Sequence, residues 1–351
     1  MTIVADTADL VIGVDTHTDT HTAVIVDRVG RVLADITVTT DPDGLTRLLT
    51  FADDHTPAGH QRLWAVEGTR SHGQGLHRLL HAAAETVVEA AKPVTANRRR
   101  GGKSDSADAL HAARACLATT HPATPRANGT REALRILLTV RRHHSDTRTA
   151  TINLIKSLIL TADDPLRADL RHLTTNQQIT YLTTLDKPDN TNTETTTRRH
   201  ELHTLATLVA DLDTTLRDNH RRLRALVTDL CPPLLAQPGV GPVTAAVALT
   251  TWSHPGRVRS EAAYANLAGT APIPASSGRT NRHRLNRGGD RTLNSALHTI
   301  MLTRRRTDPA TRDYITRRQN EGRTNPEINR CLKRYIARQL YRIMQANHTT
   351  T

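Results

Sequence analysis

The apolar positions near the start of the chain fall in short runs rather than long stripes. Leu10-Val-Ile-Gly-Val-Asp15 and Thr22-Ala-Val-Ile-Val-Asp27 flank a polar stretch, Thr16-His-Thr-Asp-Thr-His21. Two β-branched runs around a polar turn predict a hairpin. Gly30-Arg-Val-Leu-Ala-Asp-Ile-Thr-Val-Thr39 alternates as a third antiparallel strand. Asp41-Pro42-Asp43 then opens a helix to about residue 52, because proline suits the first helical turn. Leu63-Trp-Ala-Val-Glu67 predicts a fourth strand, Ser71 caps a helix to about Ala84, and Thr86-Val-Val-Glu-Ala90 predicts a fifth strand. Ser104-Asp-Ser-Ala-Asp-Ala-Leu-His-Ala-Ala-Arg114 reads as another capped helix.

Three strands, helix, strand, helix, strand, helix is the succession of a ribonuclease-H-like α/β domain, a meander continued by crossovers. A linker with two prolines and a glycine follows at 121–130, and then the pattern changes. Residues 131–161 lack proline and glycine and cluster Leu134, Leu137, Leu138, Ile152, Ile155, Leu158 and Ile159. After a polar break at Pro165 and a Thr/Asn-rich loop at 183–197, Leu202, Leu205, Leu208, Leu212, Leu216, Leu223, Leu226 and Leu230 mark one long amphipathic helix. The 3/4 spacing over roughly four heptads predicts a coiled-coil arm or helical hairpin reaching some 50 Å. Such an arm joins subunits, bridges separated nucleic-acid sites or packs on its own chain. Pro238-Gly-Val-Gly-Pro242 leads into an apolar helix from Val243 to Thr251. Residues 260–300 are turn-rich and then basic, and Asn325-Pro326 opens a final helix with Ile328, Leu332, Ile336, Leu340 and Ile343 on one face.

Charge sharpens the division. Residues 251–351 hold 19 Lys and Arg against 6 Asp and Glu, whereas residues 1–250 hold 28 against 28, so the last hundred residues carry the whole net +13. A segment that basic is a footprint for a polyanion, most simply nucleic acid. No apolar run approaches the roughly 18 residues that span a bilayer, and no basic-then-apolar leader opens the chain, which excludes a membrane role. Three scattered cysteines, Cys116, Cys231 and Cys331, offer neither a zinc spacing nor a disulfide framework and fit a reducing, cytoplasmic setting.

The acids supply candidate chemistry. Asp15 ends strand one, and Glu67 ends the fourth strand, which in this fold pairs beside strand one. Asp105 and Asp108 are three apart and share a helix face. Four converging carboxylates repel unless divalent cations lie among them, and hard oxygen ligands suit Mg²⁺ or Mn²⁺. Two such ions about 4 Å apart can activate an attacking oxygen and stabilise a leaving one in phosphodiester cleavage. His17 and His21 read as solvated turn histidines, since a zinc site needs three or four ligands. The Pro-Gly-Val-Gly-Pro turn, through Gly239 and Gly241, offers backbone N–H groups to a phosphate in the manner of helix–hairpin–helix binders. An ordinary helix connection accounts for it equally.

Together these stretches resemble the insertion-sequence-110-type DEDD transposases, the bridge-RNA-guided recombinases, over nearly the whole chain. Val14-Asp15, Glu67-Gly68 and Lys103-Ser-Asp105-Ser-Ala-Asp108-Ala109 are similar to that family's acidic tetrad on a RuvC-like domain. Gln237-Pro-Gly-Val-Gly-Pro, Ala263-Tyr-Ala-Asn-Leu-Ala-Gly-Thr-Ala-Pro272, Ser276-Ser277-Gly278 and the basic run with Gly288-Gly-Asp are similar to its C-terminal transposase domain. The resemblance implies a serine nucleophile, Ser277 or its neighbour Ser276, that links covalently to DNA before strand exchange. Unaided serine needs a base or a metal to take its proton. The resemblance further implies that the serine and the acidic site work together, that donor and target double-stranded DNA are paired by a structured guide RNA, and that the protein is a dimer or tetramer in the bacterial cytoplasm, at the nucleoid. Arg279, Arg282, Arg284 and Arg287 are placed to hold phosphates of DNA or of the guide RNA.

The sequence thus predicts a RuvC-like catalytic domain at 1–125, a helical coiled-coil arm at 126–232 and a mostly α-helical, basic transposase domain with the serine at 233–351. The expected activity is DNA transposition by phosphodiester transesterification. A junction-resolving, metal-dependent nuclease without a serine step is the alternative within enzymes, and a non-catalytic nucleic-acid-binding remnant of a mobile element is the alternative outside them.

Overall fold

Strand β1 (Leu10–Thr16) is buried along its whole length because it lies between two neighbours and under helices on both faces. It pairs antiparallel with β2 (Thr20–Asp27), which pairs antiparallel with β3 (Val32–Thr39). On its other side it pairs parallel with β4 (Arg62–Val66), and β4 pairs parallel with β5 (Val87–Glu89). The sheet order is therefore β3-β2-β1-β4-β5. The computed structural model describes residues 2–90, 104–185, 193–274, 283–284 and 286–349. The chain divides into two units, Met1–Arg126 and Ala127–Thr351.

In the first unit the period-2 alternation of the strands sorts two cores. Leu10, Ile12, Val14, Ala23, Ile25, Trp64 and Val66 face α1 (Pro42–Asp54) and α2 (Gln74–Ala82), meeting Leu48, Ala52, Leu76 and Leu80. Val11, Val24, Val26, Leu63 and Ala65 face α3 (Asp105–Leu117), meeting Ala109, Ala113, Cys116 and Leu117. Gly13 belongs by alternation to the α3 face. A Cβ there would lie 2.1 Å from the Ala109 carbonyl oxygen and 2.7 Å from the Ala113 nitrogen, so the absence of a side chain is what lets α3 lie directly on β1. Arg114 Nε donates to the Gly30 carbonyl at 3.0 Å and ties the same helix to the β2–β3 turn.

Among the described residues, the second unit is helical apart from a two-stranded ribbon. α4 (Thr130–Leu160) and α7 (Thr193–Leu230) lie side by side as a hairpin within one chain. At about 1.5 Å per residue they extend roughly 45 and 55 Å. Between them α5 (Asp164–Leu170) and α6 (Thr175–Thr183) fold where the sequence suggested a polar break. Asp163 caps α5 and Pro165 occupies its first turn; Thr174 and Gln177 form a capping box on α6. The residues read as breakers are helix starts. The expected loop at 183–197 is also shorter, because α7 begins at Thr193; residues 186–192 lie outside the described set.

Two apolar clusters divide the hairpin. Ile155, Ile159, Leu166, Leu170, Ile179, Leu182, Leu202, Ala206 and Val209 close one end. Leu134, Leu137, Leu223 and Val227 join a larger core at the other, built around α9 (Pro242–Trp252). Helix α9 is apolar on nearly every side, which is the pattern of a helix enclosed by others. Polar contacts fill the stretch between the clusters: Asn219 Nδ2 donates to the Leu137 carbonyl at 3.0 Å, Arg141 to the Leu216 carbonyl at 3.0 Å, and Arg148 pairs with Asp213 at 2.5 Å. Around α9 pack α8 (Pro232–Leu235), α11 (Arg291–Thr307) and α13 (Asn325–Thr349), with α10 (Glu261–Leu267) and α12 (Pro309–Asn320) laid against α13. Two of these helices, α10 and α11, begin in the segment at 260–300 that read as turn-rich and then basic, and α12 follows it. Ser260, Asp290 and Asp308 cap them.

Candidate active site

The alternation that puts Gly13 under α3 continues to the strand end: Gly13 and Asp15 share one face, and His17 follows directly after β1. Gly13 admits the helix, so Asp15 and His17 lie under its first turn, where Ser104 caps the helix by accepting from the Ala107 N–H. His17 Nε2 is 3.2 Å from Asp15 Oδ2 and 3.3 Å from Asp105 Oδ1. The Asp15 side chain is 9% exposed, that of His17 44% and that of Asp105 47%, so the group spans from the sheet to the surface. Ligand atoms of all three lie within 4.8 Å of one another.

Glu67 follows β4 and prolongs its ladder, its N–H donating to the Val14 carbonyl at 3.0 Å. Leu63 and Ala65 face α3, so Glu67 is in phase with them and next to Asp15 in the adjacent parallel strand. Gly68 then turns the chain with φ +62°, and the Thr16 hydroxyl donates to the Glu67 carbonyl at 3.0 Å. Asp108 lies one helical turn beyond Asp105. Neither Glu67 nor Asp108 belongs to the 4.8 Å group, which among the described residues is Asp15, His17 and Asp105.

The two turn histidines depart from expectation in different degrees. His21 is in β2 and only 1% exposed, its Nδ1 3.0 Å from the Thr20 carbonyl; burial holds its pKa below the ordinary histidine value. His17 is half-exposed in the turn, as expected, but it also bridges two carboxylates. The turn between β1 and β2 is shorter than the polar stretch suggested, because strand pairing extends through Thr16 and His21. The closeness of His17 to Asp15 along the chain was the available signal.

The donor set is chemically suited to a divalent cation. It combines carboxylate oxygens, which suit Mg²⁺ and Mn²⁺, with one imidazole nitrogen.

The second candidate region is built on a fixed base. Strands β6 (Ile273–Pro274) and β7 (His283–Arg284) pair antiparallel. Ser276, Ser277, Arg279 and Arg282 fall in the segment joining them and lie outside the described residues. Arg284 and Arg287 are exposed. Just before and after the ribbon the backbone crosses itself: a Cβ on Gly289 would lie 2.3 Å from the Gly269 nitrogen. Asp290 N–H donates to the Leu267 carbonyl at 2.7 Å, Asn294 Nδ2 to the Ala268 carbonyl at 2.7 Å, and Lys333 Nζ to Asn294 Oδ1 at 3.0 Å. In the Pro-Gly-Val-Gly-Pro turn, Gly239 has φ +73° and a Cβ there would be 2.9 Å from the Ile300 carbonyl, so its packing on α11 already requires glycine. Gly241 is the N-cap of α9 and faces open space.

In chain order, a mixed α/β unit with an acid cluster at a strand end is followed by a helical unit with a basic terminal part. Residues 12–162 match the family model of DEDD transposases of the IS110 kind, and residues 231–316 match that of the "Transposase IS116/IS110/IS902 family". The two matches lie in order, and the first contains Asp15, Glu67, Asp105 and Asp108. The chain belongs to the IS110-type DEDD transposase family. It is 35% identical over 135 residues to the "Insertion element IS110 uncharacterized 43.6 kDa protein" of Streptomyces coelicolor, covering 35% of this chain and 33% of that one. It is 31% identical over 136 residues to the "Insertion element IS900 uncharacterized 42 kDa protein" of Mycobacterium paratuberculosis, covering 38% and 33%. The chain thus spans about a third of the length of these curated relatives.

Proposed function

We propose that the chain is a DNA transposase that cleaves and rejoins strands, with a ribonuclease-H-like (RuvC-like) first unit holding Mg²⁺ or Mn²⁺ through Asp15, Glu67, Asp105 and Asp108. The observation that carries this reading is the meeting of Asp15 and Asp105 at the end of the central strand, with Glu67 laddered to the same strand end. The sheet order β3-β2-β1-β4-β5, antiparallel for three strands and parallel for the rest, supports the ribonuclease-H-like assignment. No helix among the described residues is long and apolar enough to cross a membrane.

A divalent cation at this site supplies charge neutralisation and oxygen activation for phosphodiester chemistry. Asp15 and Asp105 bind it through carboxylate oxygens. Ser277, or Ser276 beside it, supplies the attacking oxygen: its O–H gives up the proton, the oxygen bonds to phosphorus, and the displaced deoxyribose oxygen departs and is protonated. Arg279, Arg282, Arg284, Arg287 and the turn at Gly239 and Gly241 hold phosphates of DNA or of a guide RNA. The 19-to-6 excess of basic over acidic residues in 251–351 supports a polyanionic partner. The arm at 126–232, which follows domain 1–125 and precedes domain 233–351 along the chain, joins subunits of a dimer or tetramer as a coiled coil; Ile136, Val140 and Leu154, all exposed on α4, support that role. The protein works in the cytoplasm, at the nucleoid.

The test is to incubate the full chain with nicked and junction DNA in Mg²⁺, denature, and separate protein–DNA adducts by electrophoresis. An adduct lost in the Ser276→Ala/Ser277→Ala double variant is expected, as is loss of all cleavage in Asp15→Ala. Cut DNA without any adduct refutes the serine step and favours a metal-dependent junction-resolving nuclease. Cleavage that persists in Asp15→Ala refutes the acidic site.

A further inference from the structure

The acid tetrad leaves His17 unexplained, although it is the side chain that touches both Asp15 and Asp105. We propose that His17 is itself a ligand of the divalent cation at this site, and that its imidazole gives the site a preference for Mn²⁺ over Mg²⁺. The inference rests on the acidic-site reading above and adds to it a nitrogen donor.

The geometry is that of a shared donor set. His17 follows directly on β1, held in the turn by its N–H donating to the Thr20 carbonyl at 3.0 Å, and its ring reaches Asp15 at the strand end and Asp105 in the first turn of α3. Its Nε2 approaches one oxygen of each carboxylate, at 3.2 and 3.3 Å. Neighbouring donors bound to one small divalent ion at about 2.1 Å lie roughly 3.0 to 3.4 Å apart in octahedral or tetrahedral arrangements, so these separations are those of atoms that can share an ion. The 44% exposure of the His17 side chain leaves a route for an ion from solvent.

Chemistry then sets the selectivity. Mg²⁺ binds hard oxygen ligands and dehydrates reluctantly, whereas imidazole nitrogen favours first-row transition ions. An all-carboxylate site would discriminate weakly between Mg²⁺ and Mn²⁺; one imidazole in place of an oxygen moves it toward Mn²⁺. The competing role for His17 is a counter-ion that neutralises the two acids and must leave when an ion arrives. The two roles predict opposite effects of removing the ring.

Calorimetric titration of the full chain with MnCl₂ and MgCl₂ at one pH separates them, using wild type, His17→Ala, His17→Gln and Asp15→Asn, with circular dichroism confirming the fold of each. Both His17 variants are expected to lose tenfold or more in Mn²⁺ affinity and less than threefold in Mg²⁺ affinity, while Asp15→Asn loses both ions. Electron spin-echo spectra of the Mn²⁺-loaded chain are expected to show nitrogen hyperfine coupling in wild type that His17→Gln lacks. Unchanged Mn²⁺ affinity in the His17 variants, or tighter binding of both ions, overturns the proposal while leaving the acidic site standing. Absence of binding of either ion to wild type overturns both.

Discussion

Replacing Gly13 with alanine probes the contact on which the acid cluster depends. The added Cβ would lie 2.1 Å from the Ala109 carbonyl oxygen, 2.7 Å from the Ala113 nitrogen and 2.9 Å from the Ala113 Cβ. Ordinary contact begins near 3.4 Å, so α3 and β1 must separate by about 1 Å or more. Two of the opposing atoms are helix backbone, so no side chain can swing aside. Overpacking typically costs about 1–3 kcal/mol, and a backbone obstacle places Gly13→Ala at the upper end. For a unit of this size that corresponds to a fall of about 10 °C in its melting temperature. Because Asp105 opens α3 and Asp15 is on β1, the same displacement parts the two carboxylates and lowers divalent-ion affinity. Gly75→Ala is the control: nothing lies within 4 Å of a Cβ there, and its helical position makes alanine neutral or stabilising by up to about 1 kcal/mol. Thermal melts by circular dichroism and Mn²⁺ titration of both variants provide the readout. If Gly13→Ala melts with wild type and binds ions as well, α3 is not seated on β1 as described.

Acidification gives a second expectation. Burial depresses the folded-state pKa of both His21 and His77, so the unfolded chain takes up protons that the folded chain refuses. Their contribution is intact above the unfolded histidine value of about 6.5 and is lost as pH falls below it toward the folded values. Melting temperature should drop between pH 7.5 and 5.5, with a flatter profile in His77→Leu; parallel profiles for the two proteins would refute the assignment. In the arm, Asn219→Ala removes the donor to the Leu137 carbonyl and should cost about 1–3 kcal/mol in denaturant unfolding, and an unchanged midpoint would count against this contact.

The strands were legible because their side chains alternate cleanly between two apolar faces, and Asp15, Glu67 and Asp105 were legible as the acids ending or opening those elements. His17 was not, because it stands just past the end of β1 in a polar turn, where strand alternation no longer sets a side chain's direction. Helices α5 and α6 were hidden for a different reason: Pro165 was weighed as an interruption, whereas Asp163 before it and the Thr174–Gln177 pair mark helix starts. In the C-terminal part, basic side chains diluted the apolar stripe of α11. Its burial rests on Leu293, Ala296, Leu297, Ile300 and Met301, a stripe only about two and a half turns long.

The separation of the hairpin's two apolar clusters has a mechanical consequence. The cluster shared by α5, α6 and the adjoining ends of α4 and α7 closes on itself, and the polar stretch around Asn219 and Arg148 transmits little apolar cohesion to the larger core. The distal end can therefore open and reclose as a sub-global unit while the base stays folded. Amide exchange would resolve the long helices into two protection levels along a continuous backbone. The arm is a stiff rod with a detachable knot at its tip.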